Sequence, residues 1–95
     1  MSTKLAQRMT RKAKGRLRSL ENDLDDARRG VTGACDSALN ELVGTVAHLA
    51  AATALLEGVD APKLRAEVRS LTGVSRAGIE GFSEACMFGK KRRKR

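Results

Sequence analysis

Aromatic residues are almost missing from this chain. It has no Trp, no Tyr and only two Phe, Phe82 and Phe88. Without a row of aromatic rings there is no platform on which unpaired bases could stack, which argues against single-strand recognition of nucleic acid. The interior must then be filled by Leu, Val and Ala, each of which buries modest area. A 95-residue monomer built this way has a thin core, so the sequence predicts that a second copy completes it. Proline occurs once, at Pro62, and no stretch alternates apolar and polar residues as a half-buried strand would. The expected fold is all-α, a small bundle of three to four helices completed by homodimerisation.

Other scarcities narrow the chemistry. His48 is the only histidine, which removes two-histidine metal sites and coupled histidine pairs, and no cysteine stands at ligand spacing from it. Serines and threonines fall mostly at expected helix ends, where capping accounts for them. Asp23, Asp25 and Asp26 lack the glycine and ligand spacing of a calcium loop, and no glycine pattern cradles a phosphate. Neither an enzyme, a cofactor, a metal nor a small-molecule substrate is expected. Cys35 and Cys86 lie far apart in sequence and on apolar stripes, so both are expected as buried reduced thiols, with a disulfide or redox role as the alternative. The basic start is not followed by an apolar signal region, and the run from Leu42 to Leu56 is shorter than the ~20 residues of a membrane span. The expectation is an intracellular protein, cytoplasmic or nuclear, with no membrane span.

What is abundant is positive charge. The formal net charge is +8, from 19 Lys and Arg against 11 Asp and Glu. Residues 1–20 carry seven bases and no acid, and residues 90–95 carry six more. The middle is neutral to acidic, so two basic blocks bracket a folded centre, which points to a polyanionic partner.

Helical periodicity organises the rest. Over residues 2–28, Leu5, Met9, Ala13, Leu17, Leu20, Leu24 and Ala27 make one apolar stripe. Lys4, Arg8, Arg11, Lys14 and Arg18 fall opposite, with Lys12 and Arg16 at the flanks. Gln7 and Thr10 are the candidate base contacts on that side, and Gly15 leaves it bare of a side chain. Gly30 is the expected stop and Thr32 the N-cap of a second helix, residues 33–57. Its stripe is Cys35, Ala38, Leu39, Leu42, Val46, Leu49, Thr53 and Leu56, ending in an alanine-rich turn suited to close helix approach. After Gly58, with Asp60 as N-cap and Pro62 in the first turn, a third segment spans 60–88. Its face is Leu64, Val68, Leu71, Ser75, Gly78, Ile79, Phe82 and Cys86, with a break or bend expected near Gly73. Residues 1–89 thus form one domain, and 90–95 form a self-repelling basic tail that is expected to be disordered.

A row of cations from Lys4 to Arg18 on a straight helix spans roughly 20 Å, enough to follow phosphates across a groove. Arginine dominates it, and its planar fork suits phosphate. The expected site is Lys4, Arg8, Arg11, Lys12, Lys14, Arg16 and Arg18, joined by Lys90, Lys91, Arg92, Arg93, Lys94 and Arg95. The expected partner is duplex nucleic acid held by its backbone, with double-stranded RNA slightly favoured because paired rigid helices without a recognition-helix motif suit recognition by shape. The tail also fits a nuclear-localisation patch. The competing expectation is an assembly or adaptor protein that binds another protein through apolar helix faces. A membrane-surface helix is third, for want of interfacial aromatics. In layout, not in any motif, the chain resembles small viral suppressors of RNA silencing, which bind double-stranded RNA with a dimeric helical bundle. It is similarly laid out to small viral scaffolding or packaging accessories with a basic end.

Overall fold

A computed structural model describes residues 2–88; the basic tail Lys90–Arg95 lies outside the described residues. Three helices follow one another: α1 (Ser2–Arg28), α2 (Ala34–Leu55) and α3 (Pro62–Phe82), the last continued by a π-helical segment, Ser83–Phe88. No strand occurs among the described residues, and the protein is a small all-α bundle. It is a rod of 52 × 19 × 15 Å. Side-chain pairs fix the directions. Asp23 meets Ser37 and Arg16 meets Glu41, so α2 runs antiparallel to α1. Lys14 meets Glu67, while Leu20 and Leu24 lie against Gly78 and Gly81, so α3 runs parallel to α1.

Each helix buries a row spaced by alternating steps of four and three. On α1 the row is Ala6, Thr10, Ala13, Leu17, Leu20, Leu24 and Ala27. On α2 it is Ala38, Leu42, Thr45, Leu49, Ala52 and Leu56, preceded by Ala34. On α3 it is Leu64, Val68, Leu71 and Ser75. A 3.5-residue repeat keeps a seam turned toward its neighbours along the whole rod, as in coiled coils. Small residues alternate with leucines on α2: Ala38, Thr45 and Ala52 are all at 0% exposure. Their size lets α1 come close, and Leu20 and Leu56 are the largest apolar side chains that are fully buried.

Three expected stripes are corrected here. On α3, Leu64, Val68, Leu71 and Ser75 are buried as expected, but Ile79 is exposed because it sits one position beyond the buried row. On α1 the buried positions near the start are Ala6 and Thr10, while Leu5 is exposed and Met9 half-buried. On α2 the expected stripe rotates: Leu39, Val46 and Thr53 face outward, and Thr45 and Ala52 face in. The reason is that α2 carries two adjacent rows of apolar residues, and periodicity fits either. Close approach of α1 selects the smaller set.

The turns follow local chemistry with further corrections. Gly30 adopts φ 83°. Its N–H bonds Ala27 O at 3.0 Å and the Val31 N–H bonds Asp26 O at 3.0 Å, a Schellman closure that satisfies carbonyls at the end of α1. Thr32 does not cap α2; Gly33, also left-handed, precedes it without a side-chain cap. Ala61 rather than Asp60 precedes α3, and Pro62 occupies its first turn, where its missing N–H costs nothing. The carbonyl end of α2 is instead closed by Arg65, whose guanidinium donates to Leu56 O and Val59 O. Finally, α3 continues through Gly73 without a break; the geometry changes only at Ser83.

Cys35 and Cys86 are not reduced buried thiols. Both are half-buried and joined in a disulfide, with Cα atoms 5.7 Å apart. The up-down-up path explains it: the start of α2 and the end of α3 lie at the same end of the rod. α2 is also, among the described residues, long and apolar enough in composition to cross a membrane. In this structure one of its rows lies in the core and Glu41 pairs with Arg16.

Candidate nucleic-acid interface

The buried seam of α1 determines where its charges go. With one face held against α2 and α3, the opposite face must look outward, and the 100° turn per residue places Lys4, Arg8, Arg11, Gly15 and Arg18 there. Lys12, Lys14 and Arg16 stand at the edges. All seven cations of residues 4–18 are exposed.

They divide into two groups. Lys14 Nζ lies 3.4 Å from Glu67 Oε2 of α3, and Arg16 Nη1 lies 3.3 Å from Glu41 Oε1 of α2. These two edge cations pin α1 to its neighbours, though pairs this exposed contribute at most about 1 kcal/mol each. Gly44 makes the Arg16 path possible: a Cβ there would stand 2.8 Å from Arg16 Nε. The other five, Lys4, Arg8, Arg11, Lys12 and Arg18, have no carboxylate within 4.0 Å among the described residues. Gly15 lies at their centre with nothing within 4 Å of where its Cβ would be. Chemically this is a row of forked and point cations around a patch of bare backbone, suited to successive phosphates.

The basic face stops where the sequence changes sign. Beyond Arg18 the outer side of α1 carries Asn22, Asp25 and Asp26. Asp25 pairs with Arg28 at 3.2 Å and Asp26 with Arg29 at 3.5 Å, while Asp23 accepts from Ser37 Oγ at 2.7 Å. Among the described residues no group of His, Cys, Asp and Glu is placed to hold a metal ion. His48 is half-buried; its Nδ1–H donates to Gly44 O at 2.6 Å, since a carbonyl oxygen only accepts.

One expected contact is removed. Thr10 is 2% exposed and its hydroxyl donates to Ala6 O at 2.7 Å, so it belongs to the core and cannot meet a base. Gln7 is exposed at the edge nearer α3. The tail cations Lys90 to Arg95 lie outside the described residues. Glu41, Glu67 and Gly44, which hold the edge cations, were not singled out from sequence as partners of α1. Their role depends on the register between helices, which no local pattern encodes. No family model, curated protein or solved structure matches this chain.

Proposed function

We propose that the protein is a non-enzymatic binder of duplex nucleic acid, contacting the phosphate backbone through the outer face of α1. The observation that carries this reading is the set of five cations around Gly15 without a carboxylate partner, on a face free of acids from Lys4 to Arg18. A merely solvated helix face normally mixes both signs. Lys90 to Arg95 add contacts of the same kind. The active form is a homodimer, and double-stranded RNA is favoured over DNA because a rigid helix without base-reading groups recognises shape.

The test is competition among double-stranded RNA, double-stranded DNA and single strands at fixed salt, followed by a salt titration. If the five helix cations all contact phosphate, their share of the log–log slope on B-form DNA is about −4.5. Charge reversal at Arg8, Arg11 and Arg18 to Glu abolishes binding while the helical spectrum stays unchanged. Intact binding in that variant, with loss only on tail deletion, refutes the helix-face reading.

The second reading, an assembly protein that binds another protein through apolar helix faces, is favoured by the outward row on α2. A cytoplasmic or nuclear setting is also proposed, but the Cys35–Cys86 bond argues for oxidising surroundings. Thiol alkylation in intact cells before lysis decides between the two settings.

A further inference from the structure

α2 carries a second seam, one residue ahead of the buried one. Leu39, Val43, Val46, Ala50 and Thr53 follow one another by four, three, four and three residues, and all are exposed. Val43 reaches 60% exposure, with Leu39 at 47% and Val46 at 45%. On the helical wheel this seam lies nearly opposite Glu41, Gly44 and His48, which face Arg16 and α1. Between Asp36 and Glu57 the ionisable residues of α2 are Glu41 and His48 alone, so the outward seam holds no charge over four turns. Val46, Ala50 and Thr53 also border Thr72 and Ser75 of α3, so the seam runs from the open side of α2 at Leu39 and Val43 into the groove between α2 and α3. A further helix laid along it would meet a 3.5-residue apolar repeat.

We propose that this seam is the surface on which a second copy of the chain docks, with the two α2 helices antiparallel. In that orientation Leu39 packs against the partner's Ala50, and Val43 against the partner's Val46, so large meets small and equal meets equal. The pairing is self-complementary, as a two-fold interface must be. Charge selects the direction. Asp36, at one end of the seam, comes level with the partner's Thr53. That position shares a groove with Arg65 and Arg69. Arg65 is occupied by the carbonyls of Leu56 and Val59, but Arg69 is exposed and has no carboxylate within 4.0 Å among the described residues. Asp36 is likewise exposed and unpaired among them. The antiparallel dimer joins each Asp36 to the partner's Arg69, twice. A parallel pair would set Asp36 beside the partner's Asp36 instead.

This dimer places the two α1 basic faces on opposite outer sides. If α1 binds duplexes as proposed above, the dimer is bivalent and links two duplex segments rather than clasping one. That consequence rests on the proposed function; the dimer itself does not.

Sedimentation equilibrium of the full disulfide-bonded chain tests the seam. The expected mass is twice 10.2 kDa. Val43→Glu with Val46→Glu reduces it to one chain without loss of helical signal, because both side chains are exposed in the monomer. Asp36→Arg and Arg69→Asp each weaken the dimer by on the order of tenfold, as each acts twice in a two-fold pair, and combining them restores it. A wild-type chain that stays monomeric at ~100 μM overturns the proposal, as does a dimer indifferent to the valine substitutions. Charge reversals that add without rescue overturn the antiparallel register. Vesicles of phosphatidylcholine and phosphatidylserine that bind the monomeric wild type, but not the valine variant, would assign the seam to a membrane instead. Capture of a labelled duplex by an immobilised one reads bivalency: the valine variant should shift duplex in a gel but fail to bridge. A dimer that shifts no duplex leaves the seam standing and removes the proposed function.

Discussion

Replacing Cys35 and Cys86 by Ser removes the covalent link between the start of α2 and the end of α3. The two residues are separated by 51 positions, and together they close a loop containing most of α2 and all of α3. In the chain-entropy treatment, opening a loop of that length restores about 4 kcal/mol of freedom to the unfolded state. At about 2.1 cal/mol/K per residue, unfolding 95 residues carries an entropy near 0.2 kcal/mol/K. The two figures together predict a fall in Tm of about 20 °C. Serine adds little cost of its own, because both positions are half-buried. The loss is not spread evenly. Within Ser83–Phe88, Ala85 packs against the core and is only partly covered, as is Phe82 just before it, so this end should open first. The assay is calorimetry of three samples: the oxidised protein, the same protein in excess dithiol reductant, and the double serine variant. The last two should melt together, well below the first, and amide exchange should accelerate first around residues 83–88. Three melts coinciding within about 2 °C would show that the bond constrains nothing, and the entropy argument would fail with it.

Four further outcomes follow from named contacts. Gly78→Ala places a Cβ 2.8 Å from Leu20 Cδ2. Leu20 is 1% exposed, so a core side chain must shift to admit the Cβ; overpacking outweighs the helix-propensity gain and stability falls by about 1 kcal/mol in urea unfolding. Gly44→Ala makes an equally short approach to Arg16, but that flexible side chain can move into solvent. Its stability should stay within about 0.5 kcal/mol of wild type, and the reverse ranking of these two variants would contradict the packing described. Gly73→Ala and Gly15→Ala enter open space within helices and should each stabilise by about 1 kcal/mol in the same assay, with duplex affinity tested on the second. Leu20→Ala removes one of the largest fully buried side chains and should cost about 2–5 kcal/mol, whereas Leu5→Ala, exposed on α1, should cost less than about 1 kcal/mol.

Much of this fold could be read directly, and the failures have common physical causes. The four positions from Leu64 to Ser75 were legible because the large apolar residues from Leu64 to Leu71 follow one row. Further along, Val74 and Ile79 add exposed apolar positions beside it, and period alone wrongly puts Ile79 inside. α2 offered two rows one residue apart. Only the close approach of α1, which needs Ala38, Thr45 and Ala52 at the contact, chose between them. Thr10 was misplaced for a related reason: a threonine can look polar in sequence yet bond its own helix at Ala6 O and vanish into a seam of small residues. Thr32 and Asp60 are good caps by type, but capping also needs a backbone direction that a neighbouring glycine or proline can pre-empt. On the candidate interface the cations themselves were legible by phase. Their division into five without carboxylate partners and two tethered to α2 and α3 was not.

The sequence by itself determined that the chain is helical, where it turns at Gly30 and Gly58, and that the cations of residues 4–18 share the outer part of one helix. Those are consequences of local period, of left-handed glycines and of like charges kept in phase. Tertiary structure alone decided which row of α2 is inside, which cations are tied down, and that Cys35 meets Cys86. Each of these depends on the register and direction of one helix against another. Register is set by how small and large side chains interlock over the whole length of the rod, and no short window of sequence contains that sum.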